Sequence, residues 1–475
     1  MTNRSWILRG AAVVGCAAVL GGCDAGLTEL NVNPNEPVDV GAEYLFPNAV
    51  EAAVSRALGA SLSMDMTALW VQHLAESRYS EEDRYEVTDS RVEAHWTGFY
   101  SGPLQDFQEV IERGQKTGRP NVAAMGEVMQ SWTFQVVTDL WGDAGFSEAL
   151  RGRDASAGLT VRYDPQQQIY QGLLADLKAA SAAIQPGAPA LGNADLIYGG
   201  NAARWRLFAN SLRLRVAMRM SDADPARART EFAAALSDGV FGSNADNAML
   251  RYVDNGVNVN PIFAYDRSRP VDHNISATLV NRLKGLSDPR LPVYADKNKG
   301  GNYRGMPNGS MEAISLDSLS RIGVAFRSAN SPLVLMSYAE VLFLQAEAAQ
   351  RGWTAGDAAA LYRQAITASM LQHGIPQAQI SAYLAQPSVA YAGLPSIGMQ
   401  KWIALYGNGP EAYAEWRRLG HPALTAGPDA LNDGKIPVRL PYPGLEGSLN
   451  KANLQEAISR QGGAGLNDRV WWDRS

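Results

Sequence analysis

Aromatic and hydrogen-bonding side chains alternate closely between residues 70 and 100: Trp70, His73, Tyr79, Glu82, Asp83, Arg84, Tyr85, His95, Trp96, Phe99 and Tyr100. Sugar rings offer apolar C–H faces to aromatic rings and hydroxyls to Asp, Asn and Arg, so a groove lined this way suits a carbohydrate. Tyr79 and Tyr85 sit in a charged stretch and are expected to be exposed. Trp96, Phe99 and Tyr100 fall three and four residues apart, which fits a groove or the inward face of a helix equally well. Further along, Tyr265, Tyr303 and Arg304 lie in segments rich in Gly, Asn, Pro and Ser. Disordered linkers tend to lack aromatics, so these segments are expected to form ordered binding loops. The candidate ligand contacts are therefore Tyr79, Tyr85, Trp96, Tyr265, Tyr303 and Arg304.

A second set of chemically capable groups is Asp139, Asp143 and Glu148, three acids around the glycines Gly142 and Gly145. They could bind calcium or act as an acid and base on a glycosidic bond. They lack the alternating oxygen ligands of a calcium loop and fit better as capping groups at a helix end. The histidines His73, His95, His273, His373 and His421 show no ligand spacing and are expected at the surface or at helix caps. No Gly-rich phosphate loop with Lys, no His-Glu-x-x-His, no Gly-x-Ser-x-Gly and no paired Cys-x-x-Cys occurs. The expectation is no catalytic residue, no metal and no cofactor.

The elements that must position these groups are mostly helical. Met125, Val128, Met129, Trp132, Val136, Val137 and Leu140 form one apolar stripe ending at Gly142, in the place of a helix C-cap. Trp205, Phe208, Ala209, Leu212 and Val216 repeat the pattern, surrounded by Arg204, Arg206, Arg213, Arg215 and Arg219. The long arginine stems are expected to cover apolar surface while their heads pair with acids. Residues 333–349 are apolar except Ser337, Glu340, Gln345 and Glu347, which predicts a helix buried on most sides. After Gly352, residues Ala358, Ala359, Tyr362, Ala365 and Ile366 predict a second helix. The pair resembles a tetratricopeptide unit without a strict repeat. Residues 248–253 predict one short strand, and residues 254–270 and 287–331 predict long loops.

Composition bounds the class. The chain has 475 residues, 46% of them hydrophobic, and a net charge of −6, so it can bury a large core and repels nucleic-acid phosphates. Arg4 and Arg9, the apolar residues 11–20 and the small residues before Cys23 have the order of a lipoprotein signal peptide. Its removal would discard Arg4, Arg9 and Cys16, taking the charge from −6 to −8 and leaving Cys23 as the lipidated first residue. The expected organisation is a signal peptide over residues 1–22, a polar tether over 23–39 and one helical domain over 40–475.

Several stretches resemble the SusD/RagB-like family of outer-membrane nutrient-binding lipoproteins, in its starch-binding branch. They are residues 27–37 (Leu-Thr-Glu-Leu-Asn-Val-Asn-Pro-Asn-Glu-Pro), 137–143 (Val-Thr-Asp-Leu-Trp-Gly-Asp) and 337–349, which begins Ser-Tyr-Ala-Glu. Residues 401–406 and 411–418, together with the Val-Trp-Trp-Asp ending at 470–473, complete the set. The resemblance implies tetratricopeptide-like helix pairs as a scaffold, few strands and a loop-rich ligand-binding part. It also implies a surface lipoprotein of the outer membrane that binds a glycan oligomer, or in some members a peptide, and delivers it to a SusC-like TonB-dependent transporter. The competing functions are a secreted glycan hydrolase, which needs a carboxylate pair in a pocket, and a protein-binding tetratricopeptide adaptor, which needs a groove without stacking aromatics.

Overall fold

The structure is a computed structural model that describes residues 40–152, 158 and 160–474. The signal peptide, Cys23 and the 27–37 stretch lie outside the described residues. The body begins with helix α1 (Ala42–Leu58), whose inward stripe is Phe46, Ala49, Val50, Ala53, Val54 and Ala57. A π-helical segment, Ala60–Thr67, follows it directly. Next come α2 (Asp89–Phe99), α3 (Gln105–Lys116), α4 (Pro120–Trp141), α5 (Gln166–Ala183), α6 (Ala202–Arg219) and α7 (Pro225–Ser237). From α3 to α7 each helix packs on its successor, which is the expected run of helix pairs. Pro120 starts α4, where its missing N–H costs nothing. Gly142 ends it at φ +83°. Gly114 lets α3 and α4 approach: a Cβ there would lie 2.5 Å from the Ala123 nitrogen.

The longer helices that follow include α8 (Pro261–Ser268), α9 (Ala277–Gly285), α10 (Tyr338–Gln350), α11 (Ala358–Gln372), α12 (Leu394–Ala404), α13 (Gly409–Leu419) and α14 (Lys451–Gln461). They are joined by strands β1 (Leu74–Glu76), β2 (Ala248–Leu250), β3 (His273–Ile275) and β4 (Leu333–Met336). Helices α10 and α11 form the pair foreseen around Gly352, with α12 against both. The helix expected over 333–349 is in fact two elements. Residues 333–336 extend as β4 and pair antiparallel with β2, and Ser337 then caps α10, its Oγ accepting from the Glu340 N–H at 3.2 Å. A continuous apolar run does not distinguish a buried strand from a buried helix, and the Ser337 cap was the informative signal.

The expected loops 254–270 and 287–331 contain short helices. Asn260 caps α8, accepting from the Ile262 and Phe263 N–H groups at 2.7 and 3.2 Å, and Leu291–Tyr294 and Val324–Arg327 are single turns. Among the described residues no helix is long and apolar enough to cross a membrane.

The arginines of α6 go further into the interior than stems covering a surface. Arg213, Arg215 and Arg219 have side chains at most 2% exposed. Arg215 makes a two-pronged bond to Glu340 at 2.6 and 2.7 Å, and Arg219 reaches Glu411 at 2.7 Å and Glu415 at 2.6 Å. Glu415 also accepts from Lys401 at 2.6 Å and from Arg418 at 2.7 Å, and Arg418 forks onto Glu347 at 2.6 Å. At its centre the network sets four cations (Arg215, Arg219, Lys401, Arg418) against four carboxylates (Glu340, Glu347, Glu411, Glu415), and Asp139 beside Arg219 and Arg351 on Glu347 extend it by one charge of each sign. It ties α6, α10, α12 and α13 together, and matched charge is what makes such burial tolerable.

Candidate functional site

The candidate surface is built on the pairing of β1 with β3, which sets Leu74 opposite Ile275, Ala75 opposite Asn274 and Glu76 opposite His273. The pairing places residues 77–88, which leave β1, beside α8 and residues 269–272, which lead into β3. The Ser77 N–H bonds the Asp272 carbonyl at 2.9 Å. Asp83, fully buried, fastens the first loop from below. Its carboxylate accepts from the Asn308 side chain at 2.9 Å and from the Gly309 N–H at 2.9 Å, and burial pushes its pKa up to about 6.

On this frame Tyr79 stands 67% exposed. The exposed Arg269 guanidinium lies 5.6 Å from the Tyr79 ring centre and 5.7 Å from that of Tyr265, joining the two rings into one surface. Tyr265 is oriented from beneath: its hydroxyl donates to Asp272 at 3.1 Å and its ring meets His273 edge-on at 5.5 Å. Burial raises the pKa of both Tyr265 and Asp272, so the phenol keeps its proton and remains a donor. Arg267 lies 5.6 Å from the Phe263 ring on the same helix. Such an arrangement offers ring faces and charged donors together, which suits a ring-shaped, hydroxyl-rich ligand.

The six candidate contacts are distributed as follows. Tyr79 and Tyr265 come together through Arg269, which the sequence reading did not single out. Tyr303 is half-buried with Lys297 5.8 Å from its ring, and Arg304 is exposed on the same loop. Tyr85, expected to be exposed, is 2% exposed. Its loop folds as a turn, the Tyr85 N–H bonding the Glu82 carbonyl at 3.0 Å, which turns the ring inward and leaves the exposed acids Glu81 and Glu86 outside. Trp96 is 5% exposed and sits among Tyr100, Trp141, Tyr163 and Tyr442, at 5.2–5.7 Å between ring centres. Of its two readings, the structure takes the inward helical face.

Of the three acids near Gly142, Asp139 and Asp143 serve structure, and Glu148 is exposed, 3.6 Å from Arg162. Asp139 accepts from the Tyr170 hydroxyl and, at 2.9 Å, from the Trp472 indole. Asp143 accepts from Arg460 at 2.7 Å and from the Gln166 N–H at 2.8 Å. The histidines depart from expectation, since His73, His95 and His273 are buried rather than at the surface. His73 bonds the Trp402 carbonyl at 2.9 Å and His95 the Ser61 carbonyl at 3.2 Å, and burial lowers their pKa values to about 3 and about 4. Both are neutral at pH 7 and act as spacers between elements. His273 instead faces Asp65 and Glu76, a grouping hidden in the sequence because β1–β3 pairing and the π-helical segment assemble it.

A separate cavity of about 620 Å³ opens between the π-helical segment and β4, with Met64, His73, Ile262, Phe326 and Tyr406 in its wall. Its aromatic rings pack on one another, Phe326 on Tyr406 at 4.8 Å.

Stacked helix pairs define the class, a helical scaffold, with the aromatic and arginine surface carried by residues 77–88, α8 and Arg269. The chain belongs to the SusD-like family described as "Starch-binding associating with outer membrane", whose pattern matches residues 34–443. Solved structures agree. A chitin-binding protein is 28% identical with a TM-score of 0.81, covering 92% of this chain and 100% of the other. A chitin-binding SusD homologue from Flavobacterium johnsoniae is 26% identical with a TM-score of 0.79, covering 90% and 98%. A SusD homologue from Bacteroides uniformis, 24% identical with a TM-score of 0.82 over 92% and 100%, shares the fold. No functionally curated protein matches the sequence significantly. The family's description and the names of two of these relatives state the binding of a carbohydrate.

Proposed function

We propose that this protein is a lipoprotein of the outer-membrane surface, anchored through Cys23, that binds a glycan oligomer and delivers it to a SusC-like TonB-dependent transporter. The observation that carries the binding step is the Tyr79–Arg269–Tyr265 surface, two tyrosine rings joined by one guanidinium and backed by the Tyr265–Asp272 hydrogen bond. Membership of the family and two chitin-binding relatives at 28% and 26% identity support a glycan over a peptide. Tyr303 and Arg304, on the neighbouring irregular segment, are proposed to extend the contact for a longer oligomer.

The test is calorimetric titration of the purified protein with chito-oligosaccharides, with product analysis of the same samples. Wild type is expected to bind saturably without turnover. Tyr79→Ala and Arg269→Ala are each expected to weaken binding about tenfold, the loss of one stacking or cation–π contact of roughly 1–1.5 kcal/mol. Unchanged affinity in both variants would move the site elsewhere, and shorter products would revive the hydrolase reading. For the anchor, Cys23→Ser is expected to shift the protein from the membrane pellet to the soluble fraction. Retention in the pellet would remove Cys23 from the mechanism of attachment.

A further inference from the structure

We infer that Asp65, Glu76 and His273 form a binding site for a divalent transition-metal ion of zinc-like chemistry, buried at the joint between the π-helical segment, β1 and β3. The three side chains are 8%, 2% and 2% exposed. His273 Nε2 lies 3.2 Å from an Asp65 oxygen and 3.4 Å from a Glu76 oxygen, and the three candidate donor atoms all fall within 4.8 Å of one another. Two of these separations match the edge of a tetrahedron of ligands around one ion at about 2.0–2.1 Å.

Without the ion His273 pairs by charge with Asp65 and Glu76: burial alone would lower its pKa, but these two acids raise it to about 10. Aligned hydrogen bonds do not account for the arrangement. Neither His273 nitrogen nor Asp65 Oδ1 has a hydrogen-bond partner, although all three atoms are buried. Buried polar atoms are rarely left unpaired, because each forfeits its bonds to water. Nε2 sits within reach of two carboxylates yet out of line with both, as expected if all three point at a common centre.

The surroundings hold the remaining carboxylate oxygens. Asp65 Oδ2 accepts from Arg91 at 2.9 Å, and Glu76 Oε2 accepts from the Asp83 N–H at 3.2 Å, which fixes both carboxylates as outer contacts do around a metal. Placement is fixed by the backbone, since Glu76 and His273 are direct cross-strand partners and Asp65 comes from the π-helical segment. On binding, the ion would displace the protons that Glu76, its pKa pushed up to about 8 by burial, and His273 hold in its absence. That leaves two carboxylates and an imidazole as the mixed O and N donors that zinc and its neighbours take. Calcium requires six to eight oxygens, more than this cluster provides. The ion would staple β1 to β3 directly below Tyr265, whatever ligand the surface above accepts.

The experiment strips the purified protein with a chelator and titrates it with zinc chloride by calorimetry, beside His273→Gln, Glu76→Gln and Asp65→Asn. Wild type is expected to take one equivalent at micromolar affinity or tighter and to melt at a higher temperature with zinc. The variants are expected to lose about 100-fold or more in affinity and to show no zinc-dependent rise in melting temperature. X-ray absorption on the loaded protein should report N and O donors at about 2.0–2.1 Å. Circular dichroism identifies which variants remain folded, and Glu76→Gln, which keeps the shape of the side chain and leaves the Arg91–Asp65 pair in place, keeps the comparison available. Absence of saturable zinc binding by wild type, or undiminished binding by the folded variants, overturns the site. Displacement of zinc by equimolar calcium overturns the metal class.

Discussion

Glu415→Gln is expected to lower the free energy of unfolding by about 3–5 kcal/mol, the cost of removing one partner from a buried ionic cluster. Glu415 Oε1 meets Arg219 at 2.6 Å, and Oε2 meets Lys401 at 2.6 Å and Arg418 at 2.7 Å. All four side chains are at most 4% exposed, so water cannot replace the lost charge. Burial alone would raise the Glu415 pKa, but Arg418, Lys401 and Arg219 outweigh it and hold the carboxyl well below its usual value. A depressed folded pKa gives stability that is fully present above the unfolded value of about 4.5 and is lost only as pH falls through the folded value. The Gln variant should therefore differ most from wild type at neutral pH and converge with it in strong acid. Urea denaturation at pH 7 and at lower pH measures both features. A neutral-pH cost below about 1 kcal/mol would show that the cluster relaxes around the loss, and Arg219→Met added to Glu415→Gln should then cost little more.

Trp96→Ala should cost about 3–5 kcal/mol of stability while leaving glycan affinity unchanged in the protein that remains folded. Four aromatic rings contact this indole, and its Nε1 donates to Glu446 at 3.2 Å, so truncation opens a cavity and removes that bond. Tyr79→Ala should show the opposite profile, with stability within about 0.5 kcal/mol of wild type and weakened binding, because its ring faces solvent. Thermal melts and calorimetry on the two variants separate core from site. If Trp96→Ala lost affinity as Tyr79→Ala does, the ligand would have to reach the Trp96 cluster.

The stretches that resemble the family acquire a physical meaning in this structure. Glu340 and Glu347 in residues 337–349, Lys401 in 401–406, and Glu411, Glu415 and Arg418 in 411–418 are members of the buried ionic cluster. Asp139 in 137–143 and Trp472 in 470–473 bond to each other. These segments were recognisable because buried charges must match their partners in type and place, which constrains the residues that supply them.

Helices were legible because their signal is local. The 3.6-residue stripes of α4, α6 and α11, and the Gly at the end of α4, are read within a few turns of chain. The apolar run before Ser337 was misassigned because period alone does not separate β4 from a buried helix. The candidate site was less legible. Tyr79 could be named as an exposed aromatic and Tyr265 as an aromatic in a segment expected to form a binding loop. But Tyr265 sits half-buried on α8, Arg269 gains its role only between the two, and Tyr85 turned inward through a bend no pattern announces.

The sequence by itself determined the helical scaffold, the family and the absence of any strong catalytic motif, since periodicity, capping and motif residues act over short stretches. Only the tertiary structure decided which rings face solvent, which acid meets which arginine, and that Asp65 and Glu76 meet His273. Those partners are distant in the chain, and their meeting depends on the β1–β3 register and on helix packing, where a shift of one residue would turn each side chain to the other face.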